Sequence, residues 1–397
     1  MKILLLSDLH AVIDGDSKNF SNTRLHLDST GSGEWGDGLV TYITSLGIQY
    51  DLIVCCGDIA NKGCQQSFLA GWKFLHKISN HFSKAKLICA PGNHDHQSRP
   101  DPADIQSGFS PKHQLQFCSP PFPFVSHEKN THFWAWNWYM DDTCPDSNLL
   151  LVNTSAYHGF NDEYKHGRIA LETVNQIEEH LESLEEIKAL NILICHHHPQ
   201  RMEHAHNDYD GQQMAGGQKL LHSIQNVDKG PWLILHGHKH YACISTASSE
   251  GQTPPIVFSA GSASAKYKDL IENQFYSLNI NIEKTKEEER IVGTFETHQF
   301  TPGGGWAPSE SSKMPARSGL GSRETATRLI KELNRLLENE EFLEGEELER
   351  INLELGYFLP KEFEKFTKRL AANSLVAEID AQNQCIIQIQ IGPDNDK

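Results

Sequence analysis

The first ninety residues alternate between short apolar runs and polar segments, as strands and helices do when they follow one another. Apolar runs over 2–7, 51–56 and 87–90 predict three buried strands. Between the last two, apolar residues at helical spacing predict an amphipathic helix over 65–82. Residues 11–38 are rich in Gly, Ser, Asp and Asn and predict a long loop. Strand, helix and strand in this order indicate an α/β fold, with functional residues at the carboxyl ends of the strands.

The middle of the chain resumes this alternation after an irregular, Pro-rich stretch over 97–130. A helix is predicted over 168–187, where the apolar residues share one face. Alternating apolar positions over 275–282 predict a half-buried strand that pairs with 290–296. Further strands are predicted at 131–138, 148–153, 191–195, 232–236 and 256–259.

Composition changes at Thr301, which divides the chain into 1–300, a linker over 301–322 and a C-terminal domain over 323–397. The linker prediction rests on many Gly, Pro and Ser residues without an apolar period. The C-terminal domain is predicted to be α+β. A helix begins near Ala326, a second helical region over 346–370 breaks near Pro360, and a hairpin closes the chain at 374–379 and 384–391. So small a domain has little core of its own, so we expect it to dock on the rest or to form a homo-oligomer or partner interface.

Charge and cysteine content narrow the range of partners. Lys and Arg number 35 against 52 Asp and Glu, a net charge of −17, which argues against binding long duplex DNA. A phosphate substrate stays compatible, because bound cations can draw an anion into one cleft. The nine cysteines are scattered without a CxxC pair, which predicts a cytoplasmic protein. No apolar run is long enough for a membrane span, so no membrane contact is expected.

Five short polar segments each follow a predicted strand and carry possible metal ligands. In an extended segment, residues i and i+2 project to the same side, so Asp8 and His10 can chelate one ion, as can His238 and His240. A single segment of this kind is as easily a solvated strand end, but five in succession are hard to explain by chance. The segments are Ser7-Asp8-Leu9-His10, Gly57-Asp58, Gly92-Asn93-His94-Asp95, His196-His197-His198-Pro199 and Gly237-His238-Lys239-His240.

The mixture of Asp, Asn and His ligands predicts transition metals. It contains too much nitrogen for Ca²⁺ or a dedicated Mg²⁺ site, and it suits Mn, Fe, Co, Ni or Zn. Two such ions about 3.5–4 Å apart hold a hydroxide and neutralise the charge that develops on a phosphoryl group. We therefore expect two divalent ions, with Mn²⁺ first among these metals.

The blocks SDLH, GDIANKG, GNHD, HHP and GHKH resemble the five signature blocks of the calcineurin-like metallophosphoesterase superfamily. They resemble most its bacterial cyclic-nucleotide and general phosphodiesterase branch, in which an HHP block is usual. The resemblance covers roughly residues 1–300 and implies a four-layer αββα sandwich, with two central sheets flanked by helices.

The resemblance also implies a role for each residue. Asp8, His10 and His240 would bind the first metal, Asn93, His197 and His238 the second, and Asp58 would bridge the two. His94 would contact the substrate phosphate and protonate the leaving oxygen, and Asp95 would orient His94. Asp95 can also be explained as a loop cap.

Three adjacent histidines leave the second metal's ligand open. Counting back from Pro199 selects His197, whereas a one-residue shift of the strand would present His196 instead. His198 would then line the substrate site or fill space behind it. We take His197 as the expected ligand.

Other aromatic and polar residues have simpler interpretations. Trp134, Trp136 and Trp138 would share one face of a strand, and we expect them to be buried. Residues of two loops could reach the mouth of the cleft, although solvated loop positions explain them as well: His26, Asp28, Trp35, His204, His206 and Asp208.

Together these features predict a binuclear metal-dependent phosphoesterase. The HHP-type resemblance favours phosphodiester hydrolysis, by attack of a metal-bridging hydroxide, on nucleotides or small diesters. The alternatives are a nuclease acting on single-stranded or short nucleic acid, a phosphomonoesterase, and a non-catalytic scaffold. The complete ligand set argues against the scaffold.

Overall fold

The computed structural model describes residues 1–16, 19–97, 110–159, 166–202, 213–248, 253–266, 272–284 and 289–392. Its helices are α1 (Glu34–Ser45), α2 (Gln65–Asn80), α3 (His113–Gln116), α4 (His127–Trp136), α5 (Leu171–Ser183), α6 (Gly217–Asn226), α7 (Ala326–Leu336), α8 (Glu349–Leu355) and α9 (Pro360–Ala372). Its strands are β1 (Lys2–Leu6), β2 (Val12–Ile13), β3 (His26–Leu27), β4 (Leu52–Cys55), β5 (Lys86–Cys89), β6 (Trp138–Asp141), β7 (Ser147–Val152), β8 (Leu190–Ile194), β9 (Trp232–His236), β10 (Cys243–Thr246), β11 (Ile256–Ser259), β12 (Asn273–Lys284), β13 (Glu289–Thr301), β14 (Gly305–Pro308), β15 (Arg317–Gly321), β16 (Phe342–Glu344), β17 (Leu375–Asp380) and β18 (Cys385–Ile391).

The first sheet runs in the order β14-β13-β12-β1-β4-β5, and β15 also pairs with β13. At its centre, Ile3 to Leu6 are fully buried, as is usual for a strand covered on both faces. Strands β1, β4 and β5 are parallel, so their carboxyl ends meet at one edge of the sheet. The predicted hairpin is confirmed, because β12 and β13 pair along their whole lengths.

The second sheet runs in the order β10-β11-β9-β8-β7-β6, with β7, β8, β9 and β11 parallel. Alternate residues of its central strands enter two different cores. Ile192 and Ile194 of β8 join the core shared with the first sheet, whereas Leu193 packs with Val174 of α5 and Leu220 of α6. One face of this sheet therefore meets the first sheet and the other meets helices. Since α1 and α2 contribute to the first core, the predicted four-layer αββα sandwich is confirmed.

The C-terminal part, which begins with α7, contains a separate apolar core and a three-stranded sheet in the order β16-β18-β17. It is attached to the first sheet along β15. The backbone N–H groups of Gly319 and Gly321 donate to the carbonyls of Phe358 and Tyr357, at 3.0 Å each. Arg323 adds an ion pair to the buried Glu354, at 2.6 Å. No helix in the described ranges is long and apolar enough to cross a membrane.

The predicted strand over 131–138 is wrong, because most of it is helix α4. The Ser126 hydroxyl caps the helix by accepting the N–H of Lys129, and Asn137 ends it in a left-handed conformation. Trp134 and Trp138 are buried as expected, but Trp136 is 51% exposed, because helical spacing turns it away from Trp134.

Two regions predicted to lack regular structure contain short elements. The stretch 301–322, expected to be a linker, contributes β14 and β15 to the first sheet. The loop expected over 11–38 contains the parallel pair β2 and β3 and the start of α1. In both, the strands are defined by pairing with distant residues, which composition does not reveal.

Candidate metal centre

The metal-ligand candidates follow strands of both sheets and meet at one end of the sandwich, which we call the carboxyl edge. Asp8 and His10 follow β1, Asp58 follows β4 and Asn93 follows β5, all in the first sheet. The three adjacent histidines follow β8, and His238 and His240 follow β9, in the second sheet. The site therefore depends on the packing of one sheet against the other.

Asp8, His10 and His240 form a first ligand group. The Nε2 atoms of the two imidazoles lie 2.9 Å apart. The Oδ1 atom of Asp8 is 3.3 Å from Nε2 of His240 and 3.8 Å from Nε2 of His10. Three donor atoms thus surround one point, as the ligands of a single ion do.

Asn93, His196 and His238 form a second ligand group. The Oδ1 atom of Asn93 lies 3.0 Å from Nε2 of His196 and 3.0 Å from Nδ1 of His238. The Nδ1–H of His196 donates to the Cys56 carbonyl at 2.7 Å, which leaves the Nε2 lone pair facing the group.

Asp58 lies between the two groups. Its Oδ2 atom is 3.6 Å from Nε2 of His10 and 3.4 Å from Nε2 of His196. Its other oxygen, Oδ1, accepts the backbone N–H of His94 at 2.7 Å. One carboxylate oxygen thus faces a member of each group, the position that a bridging ligand requires.

His197, the ligand expected from the distance to Pro199, is placed differently from His196. Its Nδ1 atom is 2.9 Å from the Thr154 hydroxyl, and its ring stacks on His158, with centroids 5.1 Å apart. Its buried Nε2 has no hydrogen-bond partner among the described residues. A ring nitrogen of His197 lies within 4.8 Å of ligand atoms of His196 and His238. The structure thus brings both candidates near the second group, but of the two, His196 is the one found beside Asp58.

His94 lies beside the first group, with its ring centroid 4.7 Å from that of His10. The backbone N–H of Lys62 donates to Nδ1 of His94 at 3.3 Å. Asp95, expected to orient His94, instead directs its two carboxylate oxygens to the N–H groups of Ala60 and Gly92, at 2.8 Å each. Consecutive residues of a tight turn project in different directions, so Asp95 ties the two loops together while Lys62 holds the imidazole.

The backbone at the carboxyl edge is strained. Five of the candidate ligands have left-handed φ angles, which residues other than Gly, Asn and Asp rarely adopt. Such residues persist where the surrounding structure over-determines them, often at functional sites. They are Asp8 (50°), His10 (45°), Asp58 (52°), His238 (78°) and His240 (56°).

Two glycines allow the ligand loops to approach each other. A Cβ atom on Gly92 would lie 2.1 Å from Oδ1 of Asp58, and one on Gly237 would lie 2.3 Å from Oδ2 of Asp8. Each glycine directly precedes a candidate ligand, Asn93 and His238. The pattern of glycine before ligand is therefore explained by the space that a ligand from another loop occupies.

The charges of the site favour the binding of cations. Asp8 and Asp58 are 0% and 1% exposed, and the ion-pair partners found for them are imidazoles. Burial raises the pKa of the Asp58 carboxyl, but His196 and His94 outweigh it and hold that pKa well below its usual range. Burial, followed by the neighbouring His94, lowers the pKa of His10 to about 3, so its imidazole is neutral and able to donate a lone pair. Burial lowers the pKa of His196, but Asp58 outweighs it and raises that pKa to about 9, so this imidazole must release a proton when it binds an ion. Buried carboxylates among imidazoles fit two transition-metal ions.

Sequence reasoning missed the residues that support the ligands. Thr154 holds His197, and the Ser262 hydroxyl donates to the Asp8 carbonyl at 2.6 Å. Thr154 follows β7 at the same edge, so the strand-end rule that selected the ligands would have found it. Ser262 follows β11 and is found by the same rule.

The residues expected near the cleft mouth have other partners. The His26 ring bonds to the Thr23 carbonyl, the Asp28 carboxylate accepts N–H groups of its own turn, and Trp35 packs against Phe300. His204, His206 and Asp208 lie outside the described residues.

Comparison with known proteins gives two family matches. Residues 1–242 match the model described as calcineurin-like phosphoesterase, and residues 318–372 match one described as wHTH-Calcineurin_assc. The second covers β15 to α9 and ends before the closing hairpin. No curated protein sequence matches the chain.

The solved structures that the chain matches include two phosphatases and a nucleotidase. A purple acid phosphatase from yellow lupin is 15% identical with a TM-score of 0.46, and the match covers 75% of this chain and 51% of that one. A dimetal phosphatase from Danio rerio is 11% identical with a TM-score of 0.41, covering 70% and 95%. The NAD nucleotidase of Haemophilus influenzae is 12% identical with a TM-score of 0.33, covering 78% and 54%. The chain spans about half the length of the lupin enzyme.

Proposed function

This chain belongs to the calcineurin-like phosphoesterase family, and from that premise we propose that it hydrolyses phosphodiester bonds with two bound metal ions. The observation that carries the proposal is the position of Asp58 Oδ2, within 3.6 Å of His10 in one ligand group and 3.4 Å of His196 in the other. A carboxylate oxygen that faces both ligand groups is suited to bridge two ions.

We assign Asp8, His10 and His240 to the first ion, Asn93 and His238 to the second, and Asp58 to both. For the remaining ligand of the second ion, we propose His196 in place of the expected His197. His196 approaches both Asn93 and Asp58, and the Cys56 carbonyl fixes its tautomer. When bound, the two ions lower the pKa of a water molecule and place positive charge beside the phosphoryl oxygens.

His94 is proposed to donate a proton to the leaving oxygen. Because the N–H of Lys62 occupies Nδ1, the neutral imidazole carries its hydrogen on Nε2. Burial lowers the pKa of His94, so the resting imidazole is neutral. It must first take up a proton from water, because only the imidazolium is acidic enough to protonate the leaving oxygen. Asp95 supports this role indirectly, since it joins the turn that carries His94 to the backbone at Ala60.

The preference for diesters rests on the resemblance of the His197-His198-Pro199 block to the phosphodiesterase branch, and membership of that branch stays a prediction. A phosphomonoesterase and a nuclease for single-stranded nucleic acid share the same metal chemistry. Mn²⁺ is the proposed metal, because the mixed oxygen and nitrogen ligands suit it.

A substrate panel tests the proposal. Purified Mn²⁺-loaded protein is assayed on cyclic mononucleotides, bis-p-nitrophenyl phosphate, p-nitrophenyl phosphate and single-stranded DNA, with Asp58→Asn as the inactive control. We expect turnover of at least one small diester at more than tenfold the rate of the monoester. Faster monoester hydrolysis would assign the protein to the phosphomonoesterases, and no turnover with two ions bound would favour the scaffold.

We also propose that the catalytic domain extends to about residue 322, because β14 and β15 complete its sheet. The C-terminal domain that follows is proposed to contact a second copy or a protein partner. Light scattering on the purified chain gives its molar mass in solution and tests the proposed contact with a second copy.

A further inference from the structure

An aromatic cleft of about 710 Å³ opens between α1 and the β13–β14 hairpin, apart from the ligand groups. We define it by its four aromatic side chains, Trp35, Tyr42, Phe300 and Trp306. Glu34 and Thr41 lie at its exposed rim. A concentration of partly exposed aromatic surface of this kind is typical of a binding site for a ligand with a flat apolar face.

Two of the rings pack nearly parallel to each other. Tyr42 and Trp306 lie at 24°, with centroids 6.4 Å apart. A planar ring held between two others needs about 7 Å, twice the rise of roughly 3.4 Å between stacked bases, so a base would stack on the partly exposed Trp306 rather than enter between the two rings. The Tyr42 hydroxyl is held by Nδ1 of His298 at 3.1 Å, so this side of the cleft is fixed in place without a ligand.

The cleft offers hydrogen-bond donors on its indole rings and a hydrogen-bond acceptor at its rim. The indole N–H groups of Trp35 and Trp306 are buried and have no acceptor among the described residues. Buried donors without acceptors cost about 1–3 kcal/mol each, so an occupant that supplies acceptors is favoured. The Glu34 carboxylate at the rim accepts from N–H groups. A nucleobase combines a flat face with acceptors and an N–H donor, whereas a quaternary ammonium group supplies no acceptor for the indoles.

The cleft lies at the same sheet edge as the ligand groups. Leu5 of β1 pairs with Tyr276 of β12, and farther towards the carboxyl edge Asn273 of β12 pairs with Phe300, which pairs in turn with Trp306. Phe300 is therefore two strand spacings from β1, roughly 10 Å. This separation is of the order of the distance from a phosphate to the far end of its nucleoside.

We infer that the aromatic cleft binds the base of a nucleotide substrate by stacking it on Trp306. The inference deepens the proposed function and rests on it for any effect on turnover, but base binding itself needs neither metal nor phosphate. Stacking on aromatic side chains is tolerant of base identity, so the cleft selects nucleotides as a class.

The test separates binding from catalysis. Metal-free full-length protein is titrated with adenosine, uridine and choline, and binding is followed by saturation-transfer NMR on the ligand protons. We expect both nucleosides to bind the unmodified protein and Trp136→Leu, whose exposed side chain lies outside the cleft. Binding should weaken at least tenfold in Trp306→Leu and in Thr41→Trp, which fills the cleft from an exposed position and leaves its aromatic packing intact.

Equal nucleoside affinity in Thr41→Trp and the unmodified protein overturns the inference, as does binding of choline without nucleosides. A second measurement follows the Mn²⁺-loaded protein. For a nucleotide diester, KM should rise at least tenfold in Thr41→Trp with kcat and metal content unchanged, and for a diester without a base it should not change. Loss of nucleoside binding with normal hydrolysis of both diesters would reject the link to turnover and leave the phosphodiesterase proposal intact.

Discussion

At one end of the sandwich a buried carboxylate is neutralised by ammonium groups of the chain, and at the other end two buried carboxylates have only imidazoles beside them. Asp141 of β6 is 1% exposed and lies 2.5 Å from Nζ of Lys86, at the start of β5, and 3.3 Å from Nζ of Lys129. Because β5 begins at this end of the sandwich, we call this end the amino edge. Asp8 and Asp58 at the carboxyl edge are equally buried.

The difference shows how one pair of sheets serves two purposes. A buried carboxylate needs a compensating positive charge wherever it lies. At the amino edge the compensation comes from Lys86, so the Lys86–Asp141 pair joins the edge strands of the two sheets. At the carboxyl edge the neighbours of the carboxylates are imidazoles, which can release their protons, so bound cations can supply the compensation there. The strained backbone keeps the candidate donor atoms in place.

The sharpest test is to remove the same charge at each edge. Asp58→Asn should lose bound metal and reduce kcat at least about 10³-fold, because the shared oxygen ligand becomes a neutral amide. Asp141→Asn should keep its metal and its kcat. Metal content by mass spectrometry and steady-state kinetics measure both, and retention of two ions by Asp58→Asn would remove the basis of the comparison.

A smaller effect is expected where the side chain acts on the substrate without holding metal. His94→Gln should keep both ions and lower kcat by about 10²-fold for an alkyl leaving group, the lower end of the usual range for a general acid. With p-nitrophenolate, which leaves without a proton, the loss should be smaller. Metal loss equal to that of Asp58→Asn would show that His94 is a ligand.

The choice between adjacent histidines gives a third test of the carboxyl edge. His196→Gln should lower metal affinity by about 10–100-fold or more, whereas His197→Gln should have the smaller effect. Titration of the metal-free variants with Mn²⁺, followed by calorimetry, gives both affinities. The reverse order would restore the ligand expected from the distance to Pro199.

The smallest effect is expected at the amino edge and concerns stability. Burial raises the pKa of Asp141, but Lys86 and Thr143 outweigh it and lower that pKa to about 2, below the value of about 3.9 for an unfolded chain. The carboxylate therefore stabilises the fold above pH 4, and this contribution is lost as the pH falls towards 2. After allowance for solvent screening, Asp141→Asn should cost about 1 kcal/mol at pH 7. Urea unfolding at both pH values measures this, and a difference that persists at pH 2 would contradict it.

The strand-end ligands were predictable because their signal is local. An apolar run followed by Asp8 and His10, or by His238 and His240, indicates both where the strand ends and on which side of it the candidate ligands project. The same rule applied to both sheets placed the site at one edge before any tertiary contact was known.

Features that depend on tertiary contacts could not be predicted from the sequence. The Cys56 carbonyl, from another strand, turns the His196 ring towards Asp58, and no spacing along the chain encodes that contact. Trp134, Trp136 and Trp138 alternate as strand residues do, but a cap at Ser126 and the left-handed Asn137 favour a helix. The 301–322 stretch becomes β-structure only through pairing with β13.

The attachment of the C-terminal domain along β15 has a practical consequence for anyone who shortens this protein. A chain ended at residue 300 would lack β14 and β15 and would expose the free edge of the long strand β13, whose N–H and C=O groups could then pair with other molecules. Ending after Gly321 would restore those strands but leave the β15 N–H groups that now donate to Tyr357 and Phe358 without acceptors. Shortened chains should therefore aggregate on purification, and the full chain is the form to carry into assays.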